Sequence, residues 1–307
     1  MSDGPLIHIG FSKTATTFVQ SCFFARHPGL NYLGQPATDD DVVEFMREVR
    51  WRDSLQYNPS RVRALFDAGF APAMAGGKLA AISNEGFSII SGTDRGLVAQ
   101  RLHDFFPEAR IMITIREQMR YVESLYHALT EPEYKQLRAF PTFARFVRED
   151  LGLNQARSHI HGACYDPLVA HYQSLFGKDK VLVLPMEYLR ADAGGFFEAI
   201  CAFAGIDTWQ PVNRPVNARV SRRQLRVARW ASRSWLLRGA MLGVQRAWPR
   251  GWRKLVSMGP PATVTWPAGL REQARALYAP SNARLAQLTG IDLASLGYTM
   301  PESVGTD

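Results

Sequence analysis

The sequence predicts an α/β fold: a central parallel sheet of about four to five strands flanked by helices in three layers, with a basic helical C-terminal region. Three observations predict it. Short apolar runs, several rich in β-branched residues, recur at Leu6–Ile9, Lys78–Ser83, Arg110–Ile115 and Lys180–Leu184. Each has the length of a buried strand. Helical patterns fill the stretches between them, the alternation of a parallel sheet with crossover helices. The chain has 307 residues and 46% hydrophobic content, enough for a sizeable core.

Taken in order, Gly10 ends the first strand, and Phe18, Val19, Cys22 and Phe23 recur at helical spacing. A helix is predicted over 14–26, stopped by His27-Pro28-Gly29. Asn31–Thr38 reads as a loop. Asp39, Asp40 and Asp41 form the acidic start of a helix to about Val49. Asn58-Pro59 caps another to Ala68. The strand ending at Ser83 leads into the loop Asn84-Glu85-Gly86-Phe87-Ser88. Residues 94–106 are a helix, ended near Pro107. The strand Arg110–Ile115 runs through Arg116 into a helix that carries Ser124 and His127. Pro132–Pro141 is a break. Thr142–Asp150 and Tyr165–Phe176 are helices, with His159 and His161 in a loop between them. After Lys180–Leu184, Ala193–Ala204 is a helix closed by Gly205. Residues 206–220 read as irregular. One long helix is expected from Val220 to about Val244, then breaks at Pro249, Gly251, Pro260 and Pro261. The last helix spans 268–288, with Leu270, Ala274, Leu277 and Leu285 inward. This gives one domain over 1–300, with an α/β core to 205 and an Arg/Trp-rich helical region beyond.

The chemistry gathers at two strand ends. In Gly10-Phe11-Ser12-Lys13-Thr14-Ala15-Thr16-Thr17 the backbone N–H groups of a tight loop and a helix N-terminus point at one spot, which favours an anion. Lys13 adds a full positive charge; Thr14, Thr16 and Thr17 add hydroxyls. The loop is not G-x-x-x-x-G-K-[ST], because Lys13 lies three residues after Gly10. A magnesium-bound triphosphate is therefore a poorer fit than another phosphorylated nucleotide. Arg116 stands at the C-terminal end of its strand, where open α/β sheets bind ligands, and Ser124 follows on the next helix.

Together these two stretches resemble the sulfotransferase superfamily. The first is similar to that family's 5′-phosphosulfate loop, G-x-x-K-[TS]-G-T-[TS], with Ala15 in place of a glycine. The second resembles its 3′-phosphate motif, an arginine ending a strand and a serine eight residues later, here within Ser124-Leu125-Tyr126. The resemblance implies a P-loop-like fold and 3′-phosphoadenosine-5′-phosphosulfate (PAPS) as donor, with 3′-phosphoadenosine-5′-phosphate (PAP) as product and no metal. It implies Lys13 at the bridging oxygen of the phosphosulfate. Gly10, Lys13, Thr14, Ala15, Thr16 and Thr17 would lie at the 5′-phosphate, and Arg116 and Ser124 at the 3′-phosphate. Arg222 and Arg223 become candidates for the same pocket, since related enzymes use a basic C-terminal segment there. Glu85 matches the loop glutamate proposed as base in carbohydrate-acting members, so the implied acceptor is a hydroxyl on a carbohydrate or glycolipid. His8 and His127 are the competing bases. A histidine within a strand is more often a core residue.

Net charge is +8, unevenly spread. Between Asp207 and Glu272 there is no acidic residue, but thirteen basic ones and six of the seven tryptophans. Arg222, Arg226, Arg229 and Arg233 share one helical face. This field suits an anionic partner: the donor, an anionic acceptor, or an anionic membrane surface touched through residues 219–254. Nucleic acid is disfavoured, as no reading module accompanies the patch. No run of eighteen apolar residues appears, the first strand begins by Leu6, and Cys22, Cys164 and Cys201 have no metal-site spacing. Reduced core cysteines and a cytoplasmic location, peripheral to the membrane in the third reading, are expected. Two rivals stay open: a P-loop kinase using ATP, and a non-catalytic polyanion- or membrane-binding protein on the same fold.

Overall fold

A computed structural model describes residues 4–34, 39–88, 94–129, 140–153, 157–211 and 220–302. Five parallel strands form one sheet: β1 (Leu6–His8), β2 (Leu30–Tyr32), β3 (Leu79–Ser83), β4 (Arg110–Ile115) and β5 (Val181–Pro185). Their order is β2-β3-β1-β4-β5. The chain leaves β1 toward β3 and β2 on one side, then crosses to β4 and β5 on the other. The C-terminal ends of β1 and β4 therefore flank the switch point, where loops diverge and a crevice opens. Pairing of β1 with β4 continues past the strand end, with Ile9 N–H donating to Met112 O at 2.9 Å and Phe11 N–H to Thr114 O at 3.1 Å.

Side chains alternate across the sheet, so each face has its own core. Ile7, Ile82, Ile111, Ile113 and Val183 face α2 (Asp40–Trp51), α3 (Pro59–Gly69), α5 (Arg95–Phe105), α6 (Gln118–Ala128), α9 (Asp166–Phe176) and α15 (Ala268–Thr289). Leu6, Ala81, Met112 and Leu184 face Val19, Phe23 and Phe24 and helix α11 (Ala193–Ala204). On this second face the next residue of each central strand is polar: His8, Ser83 and Thr114, all buried. A polar layer thus closes the C-terminal edge of that core.

Most helix starts are set by side chains accepting from orphan N–H groups, each worth about 1 kcal/mol. Asp39 caps α2, Asn58 caps α3, Asp94 caps α5 and Thr142 caps α7 (Phe143–Leu151). Short helices complete the core: α4 (Ala71–Met74), α8 (His159–Gly162) and α10 (Met186–Ala191). α8 lies where a loop was expected, because Ser158 accepts from His161 N–H.

Several other expectations change. Within the expected loop Asn31–Thr38, the described residues open with the end of β2, an edge strand paired with β3. Three residues with asparagine in the middle carry no strand periodicity. The helix expected over 14–26 begins as α1 (Thr16–Phe18) and widens into a π-helical stretch, Val19–Phe24. The long helix expected from Val220 to Val244 is instead two, α12 (Arg222–Ala231) and α13 (Trp235–Ala247). Ser232 donates to Arg229 O at 2.9 Å, and Ser234 accepts from Leu236 N–H at 3.2 Å. These local bonds stop one helix and start the next. The break expected at Pro249 and Gly251 is a third helix, α14 (Pro249–Ser257), since proline suits a first turn. Cys22, Cys164 and Cys201 are free thiols. The expected break at Pro132–Pro141 falls almost wholly outside the described residues, as does much of 206–220.

Candidate active site

The loop after β1 lies on the switch-point crevice. Lys13 (φ 64°) and Ala15 (φ 66°) both adopt the left-handed backbone conformation. For a non-glycine residue this costs about 1–2 kcal/mol, and such strain collects at ligand-binding loops. Ala15 thus holds a backbone conformation that glycine adopts freely. Alternating hands in successive residues turn backbone N–H groups toward one concavity, an anion nest. Ala15 is also the N-cap of α1, and its carbonyl accepts from Phe18 and Val19 N–H.

Gly10 is required by close approach. A Cβ there would sit 2.0 Å from Thr114 Oγ1 and 2.3 Å from His8 Nε2. Both atoms belong to a buried chain of hydrogen bonds beneath the loop. Gln20 donates to Ser83 Oγ at 3.1 Å, and Ser83 Oγ lies 2.8 Å from His8 Nδ1. His8 Nε2 lies 3.0 Å from Thr114 Oγ1, which is 2.7 Å from Thr14 Oγ1. Thr14 in turn donates to Phe11 O. The Thr14 hydroxyl therefore faces inward and braces the loop; what Thr14 can offer an anion is its backbone N–H. Thr16 and Thr17 make no such side-chain bond to the described residues.

Burial holds the His8 imidazole far below its usual range, at about 3. His8 is a neutral strut between three strands. The unfolded chain binds a proton near pH 6.5 that the folded chain refuses, so stability falls as pH drops from about 6.5 toward 3. Thermal unfolding followed between pH 7 and 5 should show a falling midpoint for the wild type. That slope should be smaller in His8→Gln. Equal slopes would remove His8 as its source.

Arg116 follows β4. Its Nη1 donates to Lys13 O at 3.2 Å, so the two motif loops touch. Burial, then the charge of Arg190, pushes its guanidinium pKa down. Its Nε is buried without a hydrogen-bond partner among the described residues. The peptide groups around it are fixed from afar. Tyr165 donates to Arg116 O at 2.8 Å, and Glu187 accepts from Glu117 N–H at 3.2 Å and from the Tyr298 hydroxyl at 3.2 Å. Glu117 caps α6 by accepting from Met119 and Arg120 N–H. Gln118 and Asn282 form an amide pair.

Ser124 is half-buried on α6, and its hydroxyl bonds to no described residue. One turn on, His127 is pushed below its usual range by burial and then by the charges of Arg116, Lys13 and Arg229. His127 therefore lies within electrostatic reach of the two basic motif residues. Arg229 reaches α6 directly, donating to the Tyr126 hydroxyl at 2.7 Å. Arg222 and Arg223 are exposed, and they bond instead to Thr263 Oγ1 (3.5 Å) and Leu255 O (3.2 Å). Sequence spacing could not distinguish these three arginines, because which one faces α6 depends on how α12 docks.

Glu85 begins a single 3₁₀ turn after β3, half-buried, with Asn84 as its cap. Asn84 N–H donates to His8 O, and Ser88 donates to Gly10 O at 3.1 Å, so this turn is bonded to β1 and its loop. The Arg50 guanidinium lies against Gly86 and is the basic neighbour of Glu85; burial lowers its pKa and the Glu85 charge opposes this. Among the described residues, no group of three or more His, Cys, Asp or Glu side chains could hold a metal ion.

Residues 95–211 match the sulfotransferase family. No protein among curated sequences matches the chain. Among solved structures, a sulfotransferase from Alicyclobacillus acidocaldarius superposes with a TM-score of 0.58 at 17% identity, covering 95% of this chain and 98% of its own. A mouse sulfotransferase complexed with PAP superposes less well, with a TM-score of 0.40 at 16% identity over 70% of this chain and 61% of its own. A sulfotransferase from Mycobacterium avium gives 0.43 at 13% identity over 98% and 79%. The stretch from α5 through β4 and β5 to α11 thus matches the sulfotransferase family, and the chain as a whole shares the fold of the Alicyclobacillus acidocaldarius sulfotransferase.

Proposed function

We propose that the protein transfers the sulfuryl group of PAPS to an acceptor hydroxyl by in-line displacement. The observation that carries this reading is the bond from Arg116 Nη1 to the Lys13 carbonyl, which sets two anion-seeking loops side by side. One donor with a phosphate at each end suits that pairing. In this reading the loop N–H groups of 13–17, with Thr16 and Thr17, hold the 5′-phosphate. Arg116 and Ser124 hold the 3′-phosphate, Arg116 by a charge-assisted fork, with Arg229 adding positive field from α12. The bond from sulfur to the bridging oxygen breaks as sulfur bonds the acceptor oxygen. Lys13 stabilises the charge that grows on the leaving phosphate. Glu85 takes the acceptor proton. A carboxylate in a loop bonded to the donor loop supports that role, and with it an acceptor on a carbohydrate or glycolipid.

Titration calorimetry with PAP, beside ATP with magnesium, tests the donor. Wild type should bind PAP at micromolar or better affinity, and Arg116→Ala should weaken it by at least about tenfold, the loss of one charged fork. ATP binding without PAP binding would replace this reading with a kinase.

A further inference from the structure

Apart from Arg229, the Arg/Trp-rich helices form a surface the sulfuryl-transfer reading leaves unused. Among its described side chains α13 has no buried residue. Most of its outward positions are apolar: Trp235 is 80% exposed, Leu236 61% and Val244 46%, with Gly239, Ala240 and Gly243 exposed between them. Trp235, Gly239 and Gly243 recur every four residues, as do Leu236, Ala240 and Val244, two adjoining rows that form one stripe along the helix. Trp248 continues the stripe at 59% exposure, and Met258 lies beyond α14 at 54%. Around it Arg226, Arg246, Arg250 and Lys254 are exposed. No acidic residue occurs from 208 to 271.

We propose that this face docks on the surface of an anionic lipid bilayer, with the α13 stripe at the acyl boundary and the cations among the headgroups. Charge complementarity and the apolar stripe decide the occupant together. A polyanion such as a nucleic acid or sulfated glycan answers the arginines but leaves a helix-long aliphatic and indole stripe in water. A second copy docked by the same face answers the stripe but sets two fields of like charge against each other. A bilayer with anionic lipids answers both, because interfacial helices combine buried apolar area with Lys and Arg at the headgroups. Tryptophan suits that boundary, its ring apolar and its N–H able to reach water. Among the described residues no helix is long and apolar enough to cross a membrane, so the contact lies on the surface. The docking stands apart from the donor reading, since it uses no residue assigned to PAPS.

Co-sedimentation of the full chain with vesicles tests it, using phosphatidylcholine alone and phosphatidylcholine with phosphatidylglycerol at about seven to three. The mixed vesicles should bind at least about tenfold more tightly, and added salt should weaken the binding. Trp235→Ala/Leu236→Ser and Arg246→Gln/Arg250→Gln should each lose about tenfold. Both variants should keep the wild-type unfolding midpoint and PAP affinity, which separates this result from the fate of the donor reading. Two outcomes overturn the proposal. One is vesicle binding untouched by Trp235→Ala/Leu236→Ser but displaced by heparin, which assigns the face to polyanions. The other is a concentration-dependent dimer that the same variant abolishes and no vesicle binding, which assigns it to a second copy.

Discussion

Lys13→Ala should lower sulfuryl transfer from PAPS by about 10²–10³-fold, the usual effect of removing one preorganised charge from a growing oxyanion. PAPS affinity should change far less, because in the bound donor the bridging oxygen is still bonded to sulfur and carries little of the charge that grows on it as that bond breaks. The backbone supports the separation. Lys13 contributes two things: a side chain whose charge reaches His127, and a carbonyl that accepts from Arg116. Alanine removes only the first. The residue at this position must also hold φ near 64°, a strain alanine carries as lysine does, so the loop keeps its shape. The assay is PAP release from PAPS across a panel of sugar and alcohol acceptors. Turnover within tenfold of wild type would falsify the assigned role. An equal loss of PAPS affinity and turnover would instead show that the loop had collapsed.

Gly10→Ala should destabilise the fold by about 3 kcal/mol or more, at the upper end of overpacking costs. The added methyl meets Thr114 Oγ1 and His8 Nε2. Neither is the loose end of a flexible side chain. His8 is tied at both ring nitrogens, and Thr114 is shared between His8 and Thr14. Moving either atom breaks a bond inside a buried layer, where an orphaned polar group is costly. The effect should also reach the donor, since that layer carries Thr14. Chemical denaturation of the variant gives the measurement; a loss below about 1 kcal/mol would mean that the layer yields more easily than its bonding implies.

Where the sequence was legible, the physics was local. β1, β3, β4 and β5 read clearly because their residues are buried and apolar in runs. β2 did not, because Leu30-Asn31-Tyr32 is short and half polar. Helix starts at Asp39 and Asn58 were readable from the residues that cap them. The region from Arg222 to Ser257 favours helix throughout by composition, so only the bonding of Ser232 and Ser234 divides its first stretch. In the site, Gly10, Lys13, Arg116 and Ser124 stood out by spacing within two short stretches. Tyr165 and Asn282 did not: one lies 49 residues beyond Arg116 and the other 164 beyond Gln118. Packing alone brings them there. Spacing also could not tell which loop threonine points inward; Thr14 does so because Thr114 offers it a partner.

The contact between Arg116 and the Lys13 carbonyl makes the two ends of the site thermodynamically linked. A group that fixes the guanidinium also restrains the loop whose carbonyl it holds, and occupancy of the loop restrains the guanidinium in return. Linkage demands that the two effects be equal in free energy. Fragments that fill only one end should therefore bind cooperatively with fragments that fill the other, though they share no covalent bond. A doubly phosphorylated nucleotide then gains from more than its two phosphates counted separately. On the proposed reading, selectivity against singly phosphorylated nucleotides would be a property of the protein's own loop-to-loop bond, present before any ligand arrives.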